Sequence, residues 1–316
     1  MSGDGEQRHG VALTNLDQPL FEGADATKRD LVDYLDAVAD RFIPNLRGRP
    51  LSVIRALRGQ EPFMQKNLPR YAPPWIPTVR MWAEASHRQV TYALCEDRRT
   101  LLWFANQRAV EYHPALLRGD QVTHLVLDID PPDADSFALA VRAARLVREV
   151  LTDAGLTGVV KTSGAKGVHV FVPVQERVTA EEAAAATRAI GARAERLDPA
   201  LATTAFIRED RGGKVFIDST RAGGATVVAV YSPRVRPGAP VSFPVAWDDL
   251  DDVTPADFTI RTVTRSLADG DPWADRMPAP QPLDPGLVAE GRTIPVARVQ
   301  AMHEGKRRAR ARRTGA

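Results

Sequence analysis

Two aspartates at the end of an apolar run are the residues best suited to chemistry in this sequence. Residues 124–130 read HLVLDID, a composition that predicts a short strand. Side chains alternate faces along a strand, so Asp128 and Asp130 share one face. Pro131 and Pro132 cannot continue a hydrogen-bonded ladder, which leaves both carboxylates at the open end of the strand. Such a pair of hard oxygen ligands fits Mg²⁺ or Mn²⁺, whereas in isolation it fits a solvated turn as well.

A third aspartate ends another predicted strand, KVFID at 214–218. Asp218 would complete a set of three carboxylates for two divalent ions about 3.5–4 Å apart, which activate a hydroxyl and steady a leaving oxygen. Arginines flank this strand in the sequence, in keeping with a polyphosphate ligand: Arg211, Arg221, Arg234 and Arg236.

The segment TSGAKGVHV, residues 162–170, combines a small-residue turn with groups that bind anions. Ser163 offers a hydroxyl and Lys166 a point charge, and the glycines let backbone amides approach a phosphate. His169 follows on the next predicted strand, where it is placed to donate to the same phosphate. A hairpin turn followed by a core histidine explains the segment equally well, and the spacing is not that of a Walker sequence.

Hydrophobic periodicity and capping signals predict the elements that position these groups. We expect a helix that begins at Lys28, is capped by Thr27 and Asp30, and ends at Pro44. Further along the chain we expect strands at 90–94 and 101–104, a short helix or turn at 107–117 carrying His113, a helix at 137–151, strands at 159–162 and 168–172, a helix from Thr179 to Leu197, and irregular chain at 240–275. Strand, helix and strand from 124 to 162 predict a βαβ unit, whose active edge lies beyond the carboxyl ends of its strands.

Residues 60–80, which include FMQKNLPRYAPPW, are rich in proline, aromatic and basic residues and are predicted to be irregular. Phe63 could stack on a base while Lys66 or Arg70 meets a phosphate. Equally, the aromatic residues Phe63, Tyr71 and Trp75 could fill the core.

Composition is that of an ordinary globular protein, with 316 residues, 44% hydrophobic and 26% charged. No apolar run is long enough to span a membrane, no signal sequence is evident, and the single cysteine, Cys95, fits a reducing cytoplasm. The net charge of +2 conceals a basic segment at 306–316 on a mildly acidic remainder. That segment predicts either an anionic partner such as nucleic acid or a solubilising tail.

With these segments in place, the sequence resembles the polymerase domain of bacterial ligase D, which belongs to the archaeo-eukaryotic primase superfamily and acts in non-homologous end joining. The resemblance runs from about Val11 to Trp273 and rests on LTN, QKNLP, LLWFANQ, DIDP, TSGAKGVHV, KVFID, YSPR and APVS…W, in that order. It implies a mixed α/β fold: disordered residues 1–10, an N-terminal α/β module at 11–120, a primase-type catalytic core with an RRM-like sheet at 121–275, and a Pro-rich, then basic, flexible tail at 276–316.

The resemblance also implies an activity: template-directed, metal-dependent nucleotidyl transfer to a primer 3′-hydroxyl, with ribonucleotides preferred. By the same match the three aspartates bind two Mn²⁺ or Mg²⁺ ions. The nucleotide would be bound by Ser163, Lys166, His169, Arg234, Lys66, His113 and Arg211, and DNA by Asn15, Lys28 and Phe63. The implied partners are gapped or broken DNA, NTP or dNTP, and Ku and a DNA ligase in trans, in the cytoplasm at the bacterial nucleoid.

The sequence departs from the family pattern at three places. Gln18 stands where end-joining members carry one of two lysines that recognise a 5′-phosphate, the other being matched by Lys28. Losing one charge-assisted contact weakens the binding of the 5′-phosphate by this pair by about 1.5–3 kcal/mol. Met64 replaces the second of two adjacent aromatics, and the tract STRAGGAT after Asp218 is one residue shorter and lacks an asparagine.

Two other functions fit parts of the sequence. One is a catalytically inactive scaffold that binds DNA ends and recruits repair factors. The other is a DxD-dependent sugar-nucleotide transferase, which only the DxD pattern supports.

Overall fold

The computed structural model describes residues 6–83, 87–222, 225–267 and 270–296. The chain divides into two compact units, each assembled from separate segments. Unit 1 comprises residues 1–120, 161–165 and 226–276, and unit 2 comprises residues 121–160, 166–225 and 277–316.

Both units contain helices and strands. The strands are β1 (Gln7–Arg8), β2 (Val11–Ala12), β3 (Leu51–Arg55), β4 (Phe63–Gln65), β5 (Thr78–Ala83), β6 (Arg88–Ala93), β7 (Ala109–Pro114), β8 (Leu117–Arg118), β9 (Gln121–Val122), β10 (His124–Asp130), β11 (Val159–Thr162), β12 (Val168–Pro173), β13 (Ala202–Thr203), β14 (Val215–Asp218) and β15 (Pro244–Val245). The helices are α1 (Lys28–Leu46), α2 (Arg98–Asn106), α3 (Phe137–Asp153), α4 (Ala180–Leu197), α5 (Val263–Ser266), α6 (Pro272–Arg276) and α7 (Pro285–Thr293), with 3₁₀ turns at Arg208–Arg211 and Pro255–Asp257.

Unit 1 is built on a five-stranded sheet in which β4, β3, β6 and β5 follow one another and β7 also pairs with β3. Helices α1 and α2 pack together beside it, and α1 has the predicted cap, since Thr27 and Asp30 form a capping box. The helix continues past Pro44 to Leu46, two residues beyond the predicted end. A proline in the last turn interrupts one backbone hydrogen bond, whereas Leu46 stays completely buried.

Several predictions for unit 1 are wrong, and one of them is the irregular chain expected at 240–275, where β15, a 3₁₀ turn, α5 and α6 form. Residues 101–104 lie in helix α2 rather than a strand, because Asp97 caps the helix and a short apolar run does not distinguish the two states. Residues 109–114 form strand β7 rather than a helix or turn. Phe63–Gln65 form an edge strand within the supposedly irregular segment, and Gln7–Arg8 pair with Val11–Ala12, whereas residues 1–10 were expected to be unstructured.

Unit 2 contains the strand path β13, β14, β10, β12, against which α3 and α4 pack. Strand β10 occupies the predicted residues and runs antiparallel to both of its neighbours. The strands next to the aspartates therefore do not share one carboxyl edge as in a βαβ unit. The register between antiparallel strands brings the functional groups together instead.

The segment after Arg276 is only partly the tail that its prolines predict. Residues 285–293 form helix α7, which Asp284 caps and which packs closely on α4. Leu287 and Val288 are buried there, so these residues belong to the fold of unit 2. The basic segment at 306–316 lies outside the described residues. Every helix in the described ranges is too short or too polar to cross a membrane.

Candidate active site

The three aspartates are positioned by strand register in unit 2. Asp128 on β10 lies directly opposite Asp218 on β14 and opposite His169 on β12, so these residues form a row across three strands. Asp130 lies two residues farther along β10, on the same face as Asp128. His169 and Asp218 are each 4% exposed. The sequence predicted this convergence only as a possibility, and the antiparallel register produces it.

The row is held by short polar contacts. Nε2 of His169 lies 3.1 Å from Oδ1 of Asp128. Oδ1 of Asp218 accepts hydrogen bonds from the amide of Thr220 at 2.8 Å and from its hydroxyl at 2.6 Å. Each aspartate therefore has one oxygen fixed by the protein, and its second oxygen faces a positive charge.

That positive charge is the guanidinium of Arg221. Its Nη2 donates to Oδ2 of Asp128 at 3.1 Å, and its Nε lies 3.0 Å from Oδ2 of Asp218. Among the described residues, no group of three or more His, Cys, Asp or Glu side chains is gathered as a ready-made metal site. The arginine bridges the two carboxylates in the way a cation would, and this donor set of hard oxygens fits Mg²⁺ or Mn²⁺.

The pKa of Asp130 is raised although three positively charged side chains act on it. Burial raises the pKa of Asp130 to about 6, and the negative charge of Asp128 adds to the rise. The positive charges of Lys166, Arg221 and Arg211 oppose the rise without cancelling it. An additional cation at these carboxylates would therefore stabilise the ionised form of Asp130.

Besides His169, two predicted nucleotide ligands, Lys166 and Arg211, belong to the same unit. Nζ of Lys166 donates to the carbonyl of Pro131 at 2.6 Å, directly after the aspartate strand. The guanidinium of Arg211 stacks on the ring of Phe216, 3.6 Å from its centroid. Because Phe216 pairs with Asp130 across the sheet, Arg211 is held close to the carboxylates.

A second cluster lies in unit 1 and contains Ser163, His113, Arg234 and a residue that the sequence analysis missed, Glu111. Glu111 and His113 are two residues apart on strand β7, so their side chains lie on the same face of the sheet. Oε2 of Glu111 lies 2.9 Å from Nε2 of His113 and 3.0 Å from Nε of Arg234. Nη1 of Arg234 donates to the carbonyl of Ser163. We call these four residues the Glu111 cluster.

Gly164 allows the turn beside this cluster to form. Its φ of +66° lies in the left-handed region, and a Cβ there would approach the amide of Ser242 to 2.7 Å and Cγ of Arg234 to 2.8 Å. The amide of Ala165 turns back to donate to the Ser163 hydroxyl at 3.2 Å. The glycine therefore permits the close approach of Arg234 to the turn.

The residues predicted to meet DNA lie elsewhere in unit 1, in different settings. Phe63 on edge strand β4 is 38% exposed and Met64 is 44% exposed, so they do not fill the core. Tyr71 is exposed as well, while Trp75 is partly covered by Arg99. Lys66 is also exposed.

Lys28 is buried, in contrast to a typical surface phosphate ligand. Its Nζ donates to the carbonyl of Thr14 at 2.5 Å and to Oδ1 of Asn106 at 2.6 Å. Burial, helped by the charge of Arg108, lowers the pKa of Lys28 to about 8. Asn15 is exposed next to this contact, with a left-handed φ of 53°. The 5′-phosphate role of Lys28 and the DNA-binding role of Asn15 stay predictions.

Comparison with known proteins gives one consistent result. The family described as "LigD, primase-polymerase domain" matches residues 27–273. The non-homologous end joining protein LigD of Bacillus subtilis is 36% identical over 86% of this chain and 45% of its own length. The LigD protein of Mycobacterium bovis is 34% identical over 90% of this chain and 39% of its own length. The chain thus spans less than half of these relatives.

A solved structure is similar over nearly its whole length. The polymerase domain of Mycobacterium tuberculosis ligase D, in complex with DNA, matches with a TM-score of 0.78 and 33% identity, covering 86% of this chain and 98% of that one. The mixed α/β, primase-type fold expected from the sequence is therefore confirmed.

Proposed function

The chain belongs to the LigD primase-polymerase family, and we propose that it transfers a nucleotide from an NTP or dNTP to the 3′-hydroxyl of a primer paired with a template. The hydroxyl oxygen forms a bond to the α-phosphorus, and pyrophosphate leaves with the electrons of the broken bond. The related polymerase domain that is described in complex with DNA supports DNA as the substrate. A preference for ribonucleotides and a role in gap filling or end joining are part of the proposal.

Asp128, Asp130 and Asp218 would hold two divalent ions, Mn²⁺ or Mg²⁺. The observation that supports this fit is Arg221, whose guanidinium bridges Asp128 and Asp218. When bound, such ions lower the pKa of the attacking hydroxyl and neutralise charge on the transferred phosphate.

The remaining polar residues would position the triphosphate for in-line attack. Lys166 and Arg234 supply positive charge, and Ser163 and His169 supply hydrogen-bonding groups. His169 is already oriented, since its Nε2 lies 3.1 Å from Asp128. Positioning and electrostatic stabilisation account for most of the catalysis of phosphoryl transfer, because little other chemistry is needed.

DNA would be bound by other side chains of the chain. The exposed ring of Phe63 is free of the core and suits stacking on a template base. Lys66, His113 and Arg211 would complete the nucleotide and template contacts. Lys28 would approach a 5′-phosphate and Asn15 would contact DNA. Ku and a DNA ligase acting in trans would be partners at the nucleoid.

The single observation that carries the proposal is the row of Asp218, Asp128 and His169 across three antiparallel strands. Burying three polar groups side by side lowers the stability of the fold, and such clusters are typical of functional sites. A scaffold that only binds DNA ends would not need them.

Extension of a labelled primer on a gapped template with Mn²⁺ tests the proposal. We expect incorporation by the wild type, loss of at least about 100-fold in Asp128→Ala, and no change in Asp120→Ala, which alters an exposed turn. Ribo- and deoxynucleotides are compared, and the downstream strand is supplied with and without a 5′-phosphate. If Asp128→Ala is as active as the wild type, the metal assignment is wrong.

The phosphate arm separates two forms of the proposal. If the wild type incorporates nucleotides only when the 5′-phosphate is present, and Lys28→Ala loses this dependence, the result would support a role in end joining even though Gln18 replaces the second lysine. Incorporation that ignores the phosphate would indicate a gap-filling enzyme without this clamp. A DNA complex that persists in EDTA without any incorporation would instead favour the inactive scaffold.

A further inference from the structure

Glu111 is a buried acid with three partners: His113 on the same strand, and Arg234 and Val235 in a distant part of the sequence. Only 3% of the residue is exposed. Its Oε2 lies 2.9 Å from Nε2 of His113 and 3.0 Å from Nε of Arg234, and its Oε1 accepts from the amide of Val235 at 2.8 Å. A buried carboxylate is stable only when it is paired in this way.

The balance of these contacts keeps Glu111 ionised. Burial by itself raises the pKa of Glu111, but the hydrogen bond from His113, the charge of Arg234 and the amide of Val235 outweigh that effect and lower it. Both oxygens of the ionised Glu111 carboxylate can therefore only accept hydrogen bonds, and they face the nitrogen donors of His113, Arg234 and Val235.

Two of the partners of Glu111, His113 and Arg234, are residues to which we assign nucleotide binding. Arg234 has a long, flexible side chain whose orientation must be fixed before it can bind a phosphate efficiently. Glu111 contacts its Nε, and the carbonyl of Ser163 accepts from its Nη1, so two sides of the guanidinium are fixed. His113 is fixed by the same carboxylate oxygen.

We propose that Glu111 is a positioning residue that holds His113 and Arg234 in the orientation in which they bind a nucleoside triphosphate. The inference rests on the proposed function in one respect, namely that these two residues bind the nucleotide. Glu111 itself does not touch the substrate. Its effect passes entirely through His113 and Arg234.

A glutamine at this position tests the role of the carboxylate. Its amide oxygen can accept from Val235, but its NH₂ group then faces the donors of His113 and Arg234. Glu96 offers a matched control in the same unit, because its carboxylate accepts from the amide of Gly48 at 2.9 Å and pairs with the guanidinium of Arg47. Glu111→Gln and Glu96→Gln therefore remove the same kind of interaction at different places.

The first measurement is calorimetric titration of the full chain with ATP and Mn²⁺. We expect Glu111→Gln to raise the Kd for ATP on the order of 10- to 100-fold, as for the loss of a charge-assisted contact, and Glu96→Gln to leave it unchanged. In primer extension the KM for the nucleotide should rise more than kcat falls. An unchanged Kd in Glu111→Gln, or a wild type that does not bind ATP, would overturn the inference.

A second measurement separates positioning from general stabilisation of the fold. In a His113→Ala/Arg234→Ala background, Glu111→Gln should have no further effect on ATP binding, since both partners are gone. A further loss in that background would contradict the inference, because the effect of Glu111 would then not pass entirely through His113 and Arg234. If Glu111→Gln does not fold, Glu111→Asp replaces it in both backgrounds, with a smaller loss expected in the first and none in the second.

The two proposals fail in different ways. A wild type that binds ATP but does not incorporate nucleotides would contradict the proposed polymerase function. In that case a weakened ATP complex in Glu111→Gln would still support the positioning role.

Discussion

Replacing Asp130 by asparagine should stabilise the protein in the absence of metal. Burial and the charge of Asp128 raise the pKa of Asp130 from 3.8 to about 6. Above pH 6 the folded chain therefore holds an ionised carboxylate that its surroundings disfavour, while the unfolded chain ionises it freely. The difference between the two pKa values corresponds to about 3 kcal/mol of destabilisation at pH 8.

The sign of the pH dependence follows from the raised pKa. As the pH falls through about 6, the folded protein binds a proton at Asp130 before the unfolded chain does, so the destabilisation decreases. Asparagine has nearly the same size and no charge. In EDTA at pH 8 we expect Asp130→Asn to gain about 2–3 kcal/mol, or roughly 5 °C in Tm, and to keep about half of that gain at pH 5.

Thermal unfolding followed by circular dichroism at both pH values measures this effect. Asp120→Asn serves as the control, because Asp120 is exposed in a turn. It should leave the Tm unchanged at both pH 8 and pH 5. Added Mn²⁺ should raise the Tm of the wild type more than that of Asp130→Asn, because the variant lacks one of the three carboxylates that would hold the ions. An equal gain at pH 8 and pH 5, or no gain at pH 8, would refute the electrostatic reasoning.

Three further substitutions test other features. Arg221→Gln removes the guanidinium that bridges Asp128 and Asp218. Mn²⁺ binding measured by electron paramagnetic resonance should therefore become tighter on the order of 10-fold. Weaker binding would mean that the arginine does not compete with the metal. Gly167→Ala places a Cβ 2.3 Å from the carbonyl of Ile129 and should lower the unfolding free energy in urea by about 2–3 kcal/mol, whereas an unchanged midpoint would mean that the strand ends adjust freely. Gly291→Ala places a Cβ 1.8 Å from the carbonyl of Ala185, so it should destabilise the packing of α7 on α4 by a similar amount, about 2–3 kcal/mol, and an unaffected Tm would show that α7 is dispensable.

The aspartate strand was predictable because its signals are local. Period-two alternation, the terminal aspartates and the following prolines all lie within nine residues, and β10 spans the predicted residues. The capped helices α1 and α4 were predictable for the same reason, since each capping box lies within four residues. The pairing of Asp128 with Asp218 was not, because register between strands 90 residues apart leaves no local trace.

Glu111 was missed because an error in secondary structure concealed it. Read as part of a helix or turn, it is an unremarkable acid two residues before His113. On strand β7 the same spacing puts both residues on one face, which would have been the signal. Its other partners, Arg234 and Val235, lie more than 120 residues away in sequence and become visible only in the folded chain.

The interrupted segments of the two units constrain the order in which the protein can be made. Residues 161–165 belong to unit 1 but are flanked by segments of unit 2, and unit 1 is completed only by residues 226–276. During translation, neither unit can therefore finish folding while the ribosome is still in the middle of the chain. Unit 2 must in addition wait for α7 at Pro285–Thr293 to emerge. No single cut divides the gene into two self-sufficient halves, because unit 1 is complete only after residue 276 and unit 2 only after α7 has been made.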